Sequence, residues 1–219
     1  MRPIIKSTQV INVLNESGLE EGIQKGKNII LSGGMVAFPT ESFYGLAVSS
    51  VDEKAVKRLF QAKKRKSDQP ILLLIPSIES LDRYVQDIPE AAHKLIERFW
   101  PGGLTIIFKV ASNISPLLTA GTGKIGIRLS NHSVAAALVK SVGIPITGTS
   151  ANISGQPPCS TANQVLESLG QAVNLILDGG PTEGKAGSTL LDVTKDPPEI
   201  LRQGIIEKTE IEKIVDRLD

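Results

Sequence analysis

The sequence predicts an α/β protein, a single domain with helices packed on a twisted, mixed, open sheet. Three observations predict it. Strand-like and helix-like runs alternate irregularly, and several neighbouring strand-like runs have no helix between them. Apolar residues make up 41% of the 219-residue chain, enough to bury a sizeable core. Twenty glycines and thirteen prolines punctuate the runs closely, as strands joined by tight turns require. The domain is expected to fill 1–219, with its core over about 15–205 and a terminal helix at 209–218.

Taken in order, residues 16–25 read as a short helix interrupted by glycine. Residues 28–31 and 35–38 read as strands parted by the turn signal Ser32-Gly33-Gly34. The stretch 39–46 leaves a strand for a loop. Residues 53–62 form a helix with Ala55, Val56, Leu59, Phe60 and Ala62 mostly on one face, and 71–75 a buried strand. A second amphipathic helix covers 89–99, with Pro89 in its first turn and Ala92, Leu95, Ile96 and Phe99 inward. Trp100-Pro101-Gly102-Gly103 stops it before a strand at 104–108. A loop at 112–124 leads to a strand at 125–129, an apolar helix at 133–142 and a short strand at 145–149. A helix at 161–169 and strands at 173–177, 190–193 and 200–201 complete the pattern.

Between the helix at 53–62 and the strand at 71–75 lies the basic loop Lys63-Lys64-Arg65-Lys66-Ser67-Asp68-Gln69-Pro70. From Lys57 to Lys66 six of ten residues are Lys or Arg, in a chain of net charge +1. Such crowding is costly unless an anion sits among the cations, and a nucleotide phosphate is the anion this pattern points to. A solvated helix end, where cations suit the negative end of the dipole, is the plainer alternative.

Several chemistries are poorly supported. One cysteine, Cys159, rules out an intrachain disulfide framework. Two histidines and one cysteine make a His/Cys metal site improbable, and His132, at a helix start, reads as a cap. No P-loop, dinucleotide-binding glycine fingerprint or G-x-S-x-G occurs. No run reaches membrane-spanning length, and residues 1–6 lack the apolar core of a signal peptide, so a cytoplasmic protein without a membrane partner is expected. The reaction, if there is one, rests on positioning and charge neutralisation rather than on a protein nucleophile.

Five polar stretches follow strand or helix ends, where ligands bind in open α/β sheets: 39–46, 63–69, 124–128, 147–155, and 187–189 with Arg202. Thr40 and Ser42 can cap a turn. Arg128, between Ile127 and Leu129, needs an anionic partner, either a ligand or an inward carboxylate. Ser150 and Asn152 fit a simple turn or a phosphate and ribose site, and Ser188 and Thr189 allow the same two readings. Arg202 reads as a surface residue or a member of the same site.

These stretches, in this order, resemble the YrdC-like threonylcarbamoyl-AMP synthase family. The resemblance is carried by Phe38-Pro39-Thr40-Glu41-Ser42-Phe43-Tyr44-Gly45-Leu46, Lys63-Lys64-Arg65, Trp100-Pro101-Gly102-Gly103-Leu104-Thr105 and Ile127-Arg128-Leu129-Ser130-Asn131-His132. It continues through Thr149-Ser150-Ala151-Asn152-Ile153-Ser154-Gly155, Ser188-Thr189-Leu190-Leu191-Asp192 and Ile200-Leu201-Arg202-Gln203-Gly204. It implies a twisted α/β sheet around a central, positively charged cavity. It also implies synthesis of L-threonylcarbamoyl-AMP and pyrophosphate from L-threonine, bicarbonate and ATP, a nucleotidyltransferase reaction. A downstream transferase complex then carries the group to adenosine 37 of tRNA, which the family member itself could also bind. Mg2+ would arrive with ATP, with no metal held by the protein.

Carried onto this chain, the resemblance assigns Thr40, Tyr44, Leu72, Arg128, Gly148 and Ser188 to L-threonine. It assigns Lys63, Ser67, Lys124, Ser150, Asn152, Pro158 and Arg202 to the nucleotide, and Lys63 with Arg65 to the catalytic charge. Lys66 stands where the family often has proline, and Gly103 replaces a frequent second proline. About fifteen residues follow Gly204, as in the family's short form. The alternatives are a non-catalytic RNA-binding module, disfavoured by 4% aromatic content, and a sugar-phosphate enzyme, for which clustered acidic ligands are missing.

Overall fold

The computed structural model of the chain describes residues 7–215. Its elements run β1 (Gln9–Asn12), α1 (Glu16–Leu31), β2 (Val36–Phe38), β3 (Gly45–Ala47), α2 (Glu53–Ala62), β4 (Leu73–Leu74), α3 (Glu90–Phe99) and β5 (Leu104–Lys109). They continue α4 (Pro116–Thr119), β6 (Lys124–Arg128), α5 (Ser133–Val142), β7 (Ile146–Thr147), β8 (Thr149–Ser150), α6 (Ala162–Leu169), β9 (Leu175–Asp178), β10 (Thr189–Asp192), β11 (Glu199–Arg202) and α7 (Lys208–Glu212).

The expected mixed α/β architecture is present, with the strands divided between two sheets. One has the order β1-β9-β2-β3-β8, the other β11-β10-β5-β6-β4-β7, and both mix parallel and antiparallel pairs. The chain crosses from one sheet to the other at Gly148, between β7 and β8. That is why a single strand at 145–149 does not form. The buried Thr147 hydroxyl ties the sheets at this crossing: it donates to Leu46 O (3.1 Å) and accepts from Val48 N (3.0 Å).

The expected strand at 28–31 is instead the last turn of α1. Its β-branched residues suit a strand, but no turn signal separates them from the helix. Asn15 caps the start by accepting from Gly18 N, and Gly33, at φ 82°, ends the helix. The glycines that seemed to interrupt α1 have a packing role: Gly22 and Gly26 let the helix lie close on Val13, Leu177 and Leu138. α1 and α5 thereby cover one face of the five-stranded sheet, with Ile30, Phe38, Leu138 and Leu175 buried between. A larger core gathers α2, α3 and α6 with residues of both sheets, through Leu59, Leu95, Phe108, Ile127, Val165 and Ile176.

Three further differences are local. β1 and β3 form where a loop or nothing regular was expected, each too short to show alternation and each held by a neighbouring strand. The expected strand at 71–75 pairs at Leu73–Leu74 alone. The expected terminal helix at 209–218 is seen as α7, and residues 216–219, like residues 1–6, lie outside the described residues.

Candidate active site

The two sheets face one another across a cavity of about 730 Å³. Its wall takes Thr40, Ser42, Tyr44 and Ser150 from the five-stranded side. From the six-stranded side come Leu72, Arg128, Ser188 and Arg202. Arg65 enters from the loop after α2. Three guanidinium groups and no carboxylate line it, among the described residues.

The end of α2 aims Arg65. Arg65 N donates to Phe60 O (2.9 Å) and Lys64 N to Gln61 O (3.1 Å), the paired bonds of a helix end that normally uses glycine. Lys64 holds that left-handed position at φ 49°, at a cost of about 1 kcal/mol for a residue with a Cβ. The turn sends Lys63 inward and Arg65 toward the cavity. Arg65 is steadied by donating to Gln69 O (3.3 Å) and Pro70 O (2.7 Å).

Lys63 does not line the cavity. It is buried, and its ammonium donates to Ser150 O, Asn152 O (2.7 Å) and Asn152 Oδ1 (3.4 Å). Burial, with the nearby Arg65 charge, pushes its pKa down to about 8. The expectation that Lys63 reaches phosphates directly is therefore not met in this arrangement, because its donors hold the 150–152 turn in place. Asn152 is likewise spent: Oδ1 accepts from Ser150 Oγ, and Nδ2 donates to Gln156 O (2.6 Å). Ser150 and Pro158 do line the cavity.

Arg128, at the end of β6, has the inward carboxylate its surroundings demand. Its Nη2 pairs with Glu41 Oε1, each being the other's partner, and its Nε donates to Gly102 O (2.9 Å). Ser130 Oγ donates to Glu41 Oε2 (2.9 Å). Arg202, on the edge strand β11, donates through Nη2 to Ser188 O (2.9 Å). Burial and then the charge of Arg128 push the Arg202 guanidinium down, so the two cations face each other closely enough to repel. An anion between them relieves that repulsion. Ser188 Oγ shares a hydrogen bond with Thr105 Oγ1 at 2.7 Å.

The remaining expected residues divide. Thr40 donates to Phe43 O (2.6 Å), a turn-capping role, and still lines the wall, as do Leu72 and Gly148. Tyr44 contributes to the wall, but its hydroxyl donates to Gly180 O (2.8 Å); burial and Asp178 raise its pKa. Lys124 lies away from the cavity and pairs with Asp192 at 2.8 Å. Burial pushes the Asp192 carboxyl up, but its bonds from Lys124 and Thr194 outweigh that and hold it below the usual range. Ser67 is exposed on the basic loop, outside the lining. His132 stands at the start of α5 without the expected capping bond; its Nδ1 is buried without a partner, and burial lowers its pKa against the opposing charge of Glu41. No group of three or more His, Cys, Asp or Glu is placed to hold a metal among the described residues, and no helix there is long and apolar enough to cross a membrane.

Sequence reasoning gave no role to Glu41 or Thr105. Arg128 called for an acid, but nothing local pointed to Glu41, whose other partner, Ser130, lies 89 residues along the chain.

Gly204 fixes the Arg202–Ser188 arrangement sterically. A Cβ there would sit 2.3 Å from Gly187 O and 2.4 Å from Thr189 N, both backbone atoms that cannot swing aside. Gly204→Ala is expected to cost about 3 kcal/mol in chemical denaturation and to displace Ser188. Unchanged stability would show that the 187–189 and 202–204 segments are looser than described.

A family model named for Sua5, YciO and YrdC, described as "Telomere recombination", matches residues 28–204. A threonylcarbamoyl-AMP synthase of Pyrococcus abyssi is 39% identical over 208 residues, covering 95% of this chain and 61% of that protein. The Bacillus subtilis threonylcarbamoyl-AMP synthase is also 39% identical, over 88% of this chain and 56% of that protein. This chain thus spans about three-fifths of the length of these two relatives. It covers 95% of a putative threonylcarbamoyl-AMP synthase of Mycobacterium tuberculosis, at 34% identity. The crystal structure of P. abyssi Sua5 complexed with L-threonine superposes with a TM-score of 0.92 and 38% identity, over 97% of this chain and 63% of that one. Escherichia coli YciO, at 24% identity and a TM-score of 0.82, shares the fold. On sequence and architecture together, the chain belongs to the Sua5/YciO/YrdC family.

Proposed function

We propose that this protein is a nucleotidyltransferase that makes L-threonylcarbamoyl-AMP from L-threonine, bicarbonate and ATP, releasing pyrophosphate. One observation carries the reading: three guanidinium groups, with no carboxylate among the lining residues, line one cavity large enough for both reactants. The names of the full-length relatives and the L-threonine complex of P. abyssi Sua5 support the choice of substrate.

The chemistry needs charge management. The threonine nitrogen attacks carbon dioxide, in equilibrium with bicarbonate, forming an N–C bond and losing a proton. An oxygen of the resulting carbamate attacks the α-phosphorus of ATP, the bond to the bridging oxygen breaks, and pyrophosphate leaves. Nucleophile and electrophile are both anionic, so their approach requires cations. Arg128 takes the threonine carboxylate, Arg202 and Arg65 face the phosphates and developing charge, and the Lys63-tethered 150–152 turn presents Ser150 to the nucleotide. Mg2+ enters as part of the ATP substrate, held mainly by its phosphates. Transfer of the product to tRNA by a partner complex, in the cytoplasm, goes with this reading.

The test is pyrophosphate release by purified protein. Release is expected to require L-threonine, bicarbonate and ATP together. Arg65→Ala is expected to lower it about 100-fold, the effect of about 3 kcal/mol in the transition state, with the melting temperature nearly unchanged. Wild-type turnover in Arg65→Ala, or RNA binding without any turnover, would refute the proposal.

A further inference from the structure

We infer that Glu41 is a positioning residue for amino-acid binding: it fixes the plane of the Arg128 guanidinium so that its Nη1 end is left for the cavity. The inference rests on the substrate reading above and adds a residue to it. Glu41 is not among the residues that line the cavity. It lies behind Arg128, and both of its carboxylate oxygens are engaged. Oε1 pairs with Arg128 Nη2, while Oε2 accepts from Ser130 Oγ (2.9 Å). Ser130 is in turn held from the other side, because its Oγ accepts from His132 N (3.3 Å) at the start of α5. The carboxylate therefore has little freedom to rotate.

Arg128 is gripped along one edge. Its Nε donates to Gly102 O (2.9 Å), at the glycine stop between α3 and β5, and its Nη2 is paired with Glu41. These two nitrogens form one side of the planar fork. The opposite, Nη1-bearing end has no partner among the described residues, and Arg128 lines the cavity. A guanidinium held along one edge, with Nη1 unpartnered, is prepared to donate from that nitrogen to a carboxylate. The ion pair is nearly dry, with 7% and 15% of the two side chains exposed, so Glu41 directs Arg128 with little loss to solvent screening.

The opposite role can be stated just as sharply. A carboxylate so close to Arg128 could instead compete with the substrate for it. Removing the acid would then tighten binding. Glu41→Ala and Glu41→Gln distinguish the two, since glutamine keeps an acceptor for Arg128 without the charge. Calorimetry of L-threonine is expected to show at least about tenfold weaker binding in Glu41→Ala and most of that loss recovered in Glu41→Gln, with ATP affinity within about twofold of wild type in both. A second measurement needs no ligand: the Arg128 Nε–H resonance in 15N spectra is expected to exchange slowly with water in wild type and Glu41→Gln, and much faster in Glu41→Ala. Unchanged or tighter L-threonine binding in Glu41→Ala, or an Arg128 signal that stays protected there, overturns the inference. If wild type binds no L-threonine while the Arg128 signal behaves as expected, the substrate reading fails and the positioning role stands.

Discussion

Arg128→Ala is expected to weaken L-threonine binding by about two orders of magnitude and to cost about 3 kcal/mol of folding stability. The two losses have separate causes. Binding falls because the guanidinium partner of the substrate carboxylate is gone; a charge-assisted hydrogen bond of this kind contributes about 3 kcal/mol, close to a hundredfold. Stability falls because Glu41, with only 15% of its side chain exposed, loses its ion-pair partner and retains Ser130 alone. Arg128→Lys separates the causes. An ammonium can still neutralise Glu41, so most of the stability returns, whereas the planar fork does not, so binding stays weak. Calorimetry and urea denaturation on both variants read the two quantities. Near-wild-type binding in Arg128→Lys would remove Arg128 from the substrate site.

Lys63→Met is expected to cut pyrophosphate release by about two orders of magnitude, mainly through ATP, while leaving the fold intact at neutral pH. Lys63 tethers Ser150 and Asn152 from below the cavity floor. Its loss frees the turn that presents Ser150, so ATP binding suffers and L-threonine binding does not. Stability changes little at pH 7 because the lost hydrogen bonds are offset by removing a buried charge. The pH dependence has a definite sign. The folded chain holds the Lys63 proton with a pKa of about 8, below the ordinary 10.5 of the unfolded chain. Between these values the unfolded state binds more protons, so Lys63 makes stability rise with pH across that window. Below it, the penalty of the buried charge is fully present. The wild type minus Lys63→Met difference is expected to shift by up to about 3 kcal/mol in favour of wild type from pH 8 to 10.5. A difference independent of pH would mean that Lys63 is neither buried nor perturbed in solution.

These two residues show how far the sequence could be read. Arg128 announced itself: a guanidinium in an apolar strand has no cheap position, so a partner had to exist. The family resemblance groups Lys63 with Arg65, and the basic run that holds both gives no reason to part them. Charge density gives no sign that the helix end turns neighbouring side chains in opposite directions. That division depends on Lys64 adopting a left-handed conformation, which its side chain does not favour. The helices α2 and α5 are legible to the residue, α2 because its apolar face repeats with the helical period and α5 as a continuous apolar run. β3 and β8 were not, since strands of two or three residues carry no period and exist only through their neighbours. The same limit hid the second sheet. A crossing at one glycine leaves no mark on composition or patterning, and the carboxylate of Glu41 meets Arg128 only after both sheets are assembled.

The passage of the chain through Gly148 also bears on how substrates are chosen. Leu72 and Leu74 lie within 3.0 Å of where a Cβ on Gly148 would stand, and Gly148 N is tied to Leu72 O at 2.9 Å. A side chain at this position would collide with those of Leu72 and Leu74, so the crossing takes glycine. On the proposed function, the bare main chain at this crossing keeps Leu72 clear of the space a substrate would take.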